Sequence, residues 1–576
     1  MYDKNPIIKV NSGNAAVWKG YDNILAKIQE EIRTGQRRVL VIDCYPGTDY
    51  RELEAEIIKP LNPALVICSD DLTMPESEIN RMIESNLTSD RVFGIMSYAK
   101  LQDYFDESLV SKARKRVREA RGLTVVYGVG AALVSERGLI VYADLCRWEI
   151  QKRYRSGMIP NWKANNYKED PLRMFKRGYF WEWRIADRHK LSLLNSADYY
   201  METNTPGMPC MVGAFSYIKA LEDVARRPFR TQPYFDPGVW GGRWMIEHCG
   251  LDPKQPNYAW CFDGVPEENS LLLDFGGKVL QTPCINLVLL HPVKLLGEKV
   301  YARFGAEFPI RFDFLDTMGG QNLSLQVHPT TNYIQKEFGM HYTQDESYYI
   351  LEAGRDACVY LGVKENVDKE SMIGDLYAAQ ESGQFDDGKY INKFPAHKHD
   401  HFSIPSGTIH CSGANTMVLE ISSTPYIFTF KLWDWGRLGL DGRPRPCHIG
   451  HGSKNINMKR DTRWIEKNLV NRSEVLISEE GWVGERTGLH ELEFIETRRE
   501  WFCRQIELQT NDSVNVLNLV EGDAAVVMSP GEEFEPYVVH YAETFIIPAS
   551  VRTYTIAPFG DHNNKKMAVI RAYVRT

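Results

Sequence analysis

The apolar residues of this chain change their rhythm near residue 230, and that change constrains the fold more than any single motif. Before it, short apolar runs rich in β-branched residues alternate with stretches of helical spacing. Residues 38–44 (RVLVIDC), 64–68, 92–96, 123–127 and 139–142 read as buried strands; residues 20–33, 52–58, 77–85 and the strongly charged 110–121 read as helices. Strands apolar on both faces, separated by amphipathic helices, predict a parallel sheet covered on both sides. After residue 230, proline and glycine punctuate shorter strands at 321–327, 346–351, 357–361, 401–404, 417–421 and 426–432. A second set follows at 514–520, 524–528, 542–547 and 552–556. That spacing predicts sandwiches or barrels. A chain of 576 residues also exceeds one hydrophobic core. The expected organisation is a multidomain chain. An α/β parallel-sheet domain spans 1–230, an all-β domain with a helical insertion at about 364–395 spans 231–470, and a smaller all-β domain spans 471–576.

Bulk properties exclude some function classes. The net charge of −8 supplies no general field that would attract nucleic acid or an anionic membrane. The 11 cysteines form no CxxC pair and read as reduced thiols. The first residues lack a secretory pattern, and the longest apolar runs, 124–129 and 284–290, are strand-sized. The expected location is the cytoplasm, with no nucleic-acid or membrane partner.

Four polar side chains stand out among the short strands. Alternate strand residues share a face, so Gln326 and His328 of QVH point the same way. Glu346 opens the strongly β run SYYIL, and His410 follows the turn in IPSGTIH. Two imidazoles, a carboxylate and an amide oxygen make a mixed nitrogen and oxygen set suited to a borderline divalent ion such as Zn²⁺.

The words around these residues occur in a telling order: PGVWGG (237–242), FDFLDT (312–317), LSLQVHP (323–329), FSIPSGTIHCSGAN (402–415), VLEIS (418–422) and WDWGR (433–437). Together they resemble the catalytic domain of type I mannose-6-phosphate isomerases. The resemblance implies a metal-binding cupin, a jelly-roll barrel, with Gln326, His328, Glu346 and His410 as ligands of one divalent metal, usually zinc. It implies aldose–ketose isomerisation of a small sugar phosphate, mannose 6-phosphate to fructose 6-phosphate, through a cis-enediol. Such chemistry needs a base and a cation where enediolate charge develops. Glu420 matches the family's glutamate base. Arg437 matches its catalytic arginine, and Ser324 and Lys431 fall at substrate-binding positions. Two departures bear on the substrate: family lysines are replaced here by Asp313 and Gln344. They keep open an isomerase of another, unphosphorylated sugar, or a non-catalytic sugar- or nucleotide-sensing protein.

The flanking regions carry weaker words. LNLVEGDAAVV (517–527) and AETFIIPASVRTYTI (542–556) resemble the second, metal-free cupin of the same isomerases. The first 230 residues resemble P-loop nucleoside kinases, but DCYPGTDY (43–50) has no lysine and only one glycine where a phosphate loop would need more. This domain is read as a degenerate kinase-like module, regulatory or structural, with Arg147, Lys152, Arg153 and Arg155 on its basic helix. A bifunctional kinase–isomerase is the remaining alternative. His397, His399 and His401 alternate in AHKHDH and are read as an exposed polar turn.

Overall fold

The computed structural model describes residues 2–11, 16–424, 426–442, 445–560 and 566–576. The backbone forms two compact units: one contains Ile7–Val224 and Ser270–Leu290, the other Met1–Pro6, Ala225–Asn269 and His291–Thr576.

The first unit is built on a seven-stranded mixed sheet. Strand Val39–Cys44 lies between Thr124–Gly128 and Leu139–Asp144, parallel to both. Leu65–Cys68 and Tyr199–Glu202 extend the parallel part on either side. Two antiparallel strands, Cys210–Gly213 and Val17–Lys19, complete one edge. The run VLVIDC is nearly all buried because helices cover both faces; Ile24 and Ile28 of helix Tyr21–Thr34 pack against Leu40 and Ile42. The expected strand at 92–96 does not form. The N–H groups of Val92 and Phe93 bond the Asp90 side chain at 2.6 and 2.7 Å, and that of Ile95 bonds the Asn86 carbonyl. Local side-chain capping there replaces strand pairing.

Two of the four cations on the basic helix Arg147–Arg155 face inward, while Lys152 and Arg155 are exposed. Arg147 pairs with Asp187 and is buried. Arg153, also buried, donates to the carbonyls of Gly47, Thr203 and Asn204. These two arginines therefore belong to internal hydrogen bonding and are not free to meet a phosphate.

The second unit contains four antiparallel sheets' worth of strands in two pairs. In the first pair, a six-stranded sheet runs His401–Ile404, Asp345–Ala353, Thr416–Ser423, Arg311–Asp316, Trp260–Phe262, Tyr234–Asp236. A five-stranded sheet runs Ile391–Pro395, Cys358–Val363, His410–Ser412, Leu325–Val327, Phe430–Trp433. Helix Lys369–Ser382 lies between two strands of this second sheet in sequence, N-capped by Asp368 and closed by Gly383 in the left-handed region. Gly242 of the WGG word has a packing reason: a Cβ there would collide with Asp316 Oδ1. Asp316 in turn accepts from the N–H groups of Met245 and Met318, each at 2.9 Å.

In the C-terminal pair, Leu517, Leu519 and Val569 of a six-stranded sheet meet Leu508, Val527 and Tyr554 of a four-stranded one in a single apolar core. The i, i+2 spacing of Leu517 and Leu519 is the strand period. Arg230 ties this sandwich to the segment before the first sheet. It is 2% exposed and pairs with Glu543 at 2.8 Å and Asp263 at 3.5 Å, while Phe229 and Ile546 exchange backbone hydrogen bonds. Removing it would leave two buried carboxylates without their cation. Arg230→Ala is therefore expected to lower stability by about 3–5 kcal/mol in urea denaturation followed by tryptophan fluorescence; a change under about 1 kcal/mol would refute this.

Candidate metal centre

The two sheets of the first pair bring their polar residues together. Gln326 and His410 are directly opposite on adjacent strands of the five-stranded sheet, and Lys431 pairs with Gln326 from the other side. His328 follows the end of strand Leu325–Val327. Glu346 comes from the six-stranded sheet, where it is paired with Ile404 and Ser422. His328, Glu346 and His410 each offer a ligand atom, and these atoms lie within 4.8 Å of one another. All three residues are at most 1% exposed.

The hydrogen bonds behind these side chains fit them to a cation. His328 Nδ1 lies 2.9 Å from the Phe428 carbonyl, and His410 Nδ1 lies 2.9 Å from the Thr408 carbonyl. A carbonyl can only accept, so each Nδ1 carries the proton and each Nε2 presents a lone pair. The Nε2 atoms stand 3.0 and 2.8 Å from the Glu346 oxygens. Yet buried His328 Nε2 and Glu346 Oε1 have no aligned hydrogen bond. Close approach without alignment is what lone pairs converging on one point produce. Gln326 Nε2 lies 3.2 Å from His410 Nε2, and a half-turn of the amide puts its oxygen in that place.

The remaining expected site residues fall into two groups. Glu420 is directly opposite Asp313 on one neighbouring strand and Tyr348 on the other. Directly opposite residues share a face, and Tyr348 shares it with Glu346 two positions away. Glu420 therefore lines the same interior as the His328–Glu346–His410 group. Gln344, at a position where a lysine was expected, donates to Glu346 Oε2 at 3.0 Å. Asp313 is buried beside Arg311 at 3.4 Å, and burial pushes its carboxyl up to about 6.

Arg437, Ser324 and Lys431 are gathered around Asp434. Ser324 donates to Asp434 Oδ1 at 2.9 Å, and Arg437 Nη2 donates to the same oxygen at 2.6 Å. Arg437 Nη1 also donates to the Asn322 carbonyl at 2.8 Å. Arg445, which the sequence reading did not single out, reaches Asp434 Oδ2 at 2.8 Å. Burial lowers Lys431 to about 8, and Arg445 adds to the effect. Two arginines thus share one carboxylate, with Lys431 within its electrostatic reach. The signal missed was the PRP following WDWGR, which places an arginine eight residues beyond Arg437.

The histidine-rich segment departs from the expected exposed turn. His397 is exposed, but His399 contacts Tyr349 at 2.8 Å and Glu521 at 3.0 Å, and His401 is buried on a strand. Burial lowers His401 to about 3, so its ring is neutral.

Comparison with known proteins follows the division of the chain. Residues 20–226 match a family described only as a domain of unknown function, DUF8485. The chain is similar to the mannose-6-phosphate isomerase ManA of Bacillus subtilis, 25% identical over 255 residues. That match covers 44% of this chain and 74% of the relative. It is also similar to a mannose-6-phosphate isomerase of Streptococcus mutans, 26% identical, and to the probable mannose-6-phosphate isomerase GmuF of Bacillus subtilis, 29% identical. Each of these matches covers 38% of this chain, and the chain spans 65% and 66% of those relatives. The solved structure of the mannose 6-phosphate isomerase from Bacillus subtilis aligns at 18% identity with a TM-score of 0.49. It covers 60% of this chain and 100% of that one.

A cation held by this donor set has a direct readout. The wild-type chain is expected to carry about one divalent ion by plasma mass spectrometry. His410→Ala should weaken binding by more than the roughly 10–100-fold typical of losing an outer-shell partner. Full retention of metal by the variant would exclude His410 as a ligand.

Proposed function

Part of this chain is homologous to mannose-6-phosphate isomerases, and from that premise we propose that its second unit is a metal-dependent aldose–ketose isomerase built on a cupin. Mannose 6-phosphate is its leading substrate. The observation that carries this reading is the convergence of His328, Glu346 and His410, with both Nδ1 atoms engaged by carbonyls. Gln326 would complete the ligand set. A bound zinc, or another divalent ion, would act as a Lewis acid toward the sugar's C1 and C2 oxygens.

The chain's own groups supply the rest. Glu420 is the base that takes the C2 proton and returns it at C1, giving a cis-enediol between the two transfers. Its position inside the sheet pair excludes bulk water from that proton. Arg437 stabilises the enediolate charge, and a guanidinium suits this role because it stays protonated. Asp434 holds Arg437 in place through a short charged hydrogen bond.

The substrate's phosphate would lie toward Arg445, Lys431 and Ser324. There the positive charges outnumber Asp434, which offsets the lysines missing at Asp313 and Gln344. Asp313 itself favours a second reading, an isomerase of an unphosphorylated sugar, because it places a buried carboxylate beside Glu420.

A coupled assay on phosphorylated and free aldoses tests both. Turnover of mannose 6-phosphate supports the first reading, and turnover of free sugars alone supports the second. Arg437→Ala should lower kcat by about 10²–10³, the usual effect of removing one group that stabilises developing oxyanion charge. Arg445→Ala should instead raise KM for the phosphorylated sugar by about tenfold or more, matching roughly 1.5–3 kcal/mol for a charged hydrogen bond. Metal-loaded protein with no turnover on any aldose, or an Arg437→Ala variant as active as wild type, would remove the enzyme assignment.

A further inference from the structure

The first unit contains a cavity of about 420 Å³ that the isomerase reading does not use. It is lined by residues just beyond the carboxyl ends of three parallel strands: Pro46–Arg51 after Val39–Cys44, Asp70 after Leu65–Cys68, and Val129 after Thr124–Gly128. The chain leaves Val39–Cys44 for strands on one side of it, then returns to strands on the other. Crevices at such a reversal of strand order are where open parallel sheets bind ligands.

The lining is specific in its chemistry. The carboxylate of Asp70 is held in place by two aromatic donors, Trp162 Nε1 at 3.1 Å and the Tyr50 hydroxyl at 3.4 Å, both on Oδ1. No lysine or arginine among the described residues pairs with that carboxylate. The nearest cation, Lys163, donates to the backbone carbonyl of Asp70 instead, at 2.9 Å. Burial pushes the Asp70 carboxyl up to about 6, opposed by the Trp162 hydrogen bond and by the charge of Lys163. The other cation on the wall, Arg51, is paired with Asp49 at 2.8 Å. Glu76 adds a third carboxylate. Tyr167 stands 47% exposed on the same wall as Tyr50 and Trp162.

A wall with three carboxylates and two engaged cations repels phosphate. A neutral ligand would leave Asp70 with no ion-pair partner, its carboxylate offset only by the charge of neighbouring Lys163. Aromatic rings around a carboxylate instead suit a positive head on a flat body, through charge-assisted hydrogen bonding and cation–π attraction. We propose that this cavity binds a small organic cation, an aromatic amidinium or ammonium compound, with Asp70 taking the positive group and Tyr50, Trp162 and Tyr167 flanking the ring. This site is independent of the isomerase reading and stands or falls apart from it.

Benzamidine tests it, titrated calorimetrically into the full chain, with benzyl alcohol and benzoate as its uncharged and anionic counterparts. Benzamidine is expected to bind at least about tenfold more tightly than benzyl alcohol, and benzoate not at all. Asp70→Asn should lower benzamidine affinity by about tenfold or more, and Tyr167→Ala by several-fold. Tyr167 is half exposed, so its variant should keep the wild-type melting transition and still decide the matter if Asp70→Asn fails to fold. Three results would overturn the proposal: no benzamidine binding, equal or tighter binding of either counterpart, or unchanged affinity in a folded variant.

Discussion

A carboxylate placed between two imidazoles, inside a pair of sheets that would otherwise be filled with apolar side chains, sets the terms for the β-rich unit. Burying an ionised group is costly unless it is paired and its partners are held. Here Glu346 is 1% exposed, and each facing imidazole is anchored through its far nitrogen to a backbone carbonyl. Those carbonyls belong to Phe428 and Thr408, so the loops and strands bearing them must be in place before either ring can be oriented. The strand register follows the same demand, since Gln326, His410 and Lys431 form one row across three strands. A slip of one residue would turn that row outward.

Asp434 plays the corresponding part for the cations. Arg437 and Arg445 would repel one another in a low-dielectric pocket; a shared carboxylate lets both remain there and fixes their direction. Ser324 joins through its hydroxyl and links this group to the strand that carries Gln326. The acids on the facing sheet, Asp313 and Glu420, therefore form one wall of the pocket. The arginines and Lys431 form another. An interior with separated charges can orient a polar substrate end to end, which a uniformly basic pocket cannot do.

Much of this was legible in the sequence where a property resides in one contiguous word. The placement of Gln326 and His328 is legible in QVH because a strand period of two puts both side chains on one face, and that of His410 in IPSGTIH because the turn precedes its strand. What failed depended on side-chain partners that the apolar pattern does not register. Residues 92–96 have a strand's composition, yet Asp90 and Asn86 take their backbone donors. His401 looks like part of a polar turn until Tyr349 and the C-terminal sandwich cover it. Arg445 is conspicuous only once Asp434 is seen to need a second cation. The segment Ser270–Leu290 packs with the first unit despite lying within the β-rich part of the chain, and its parallel pairing with Ile7–Lys9 has no local signal.

The same physical rule applies to buried charges elsewhere in the molecule. In the α/β unit, buried Lys190 donates to both oxygens of Asp144 and to Asn286, each within 3.0 Å. Arg147 and Arg153 likewise end on named acceptors inside the protein. These charges are paired, and a phosphate arriving there would have to break existing pairs. His328 Nε2 and Glu346 Oε1 are close but unaligned, and Asp70 is held in position without a counter-ion. A fold tolerates that condition only where stability gained elsewhere outweighs the local cost.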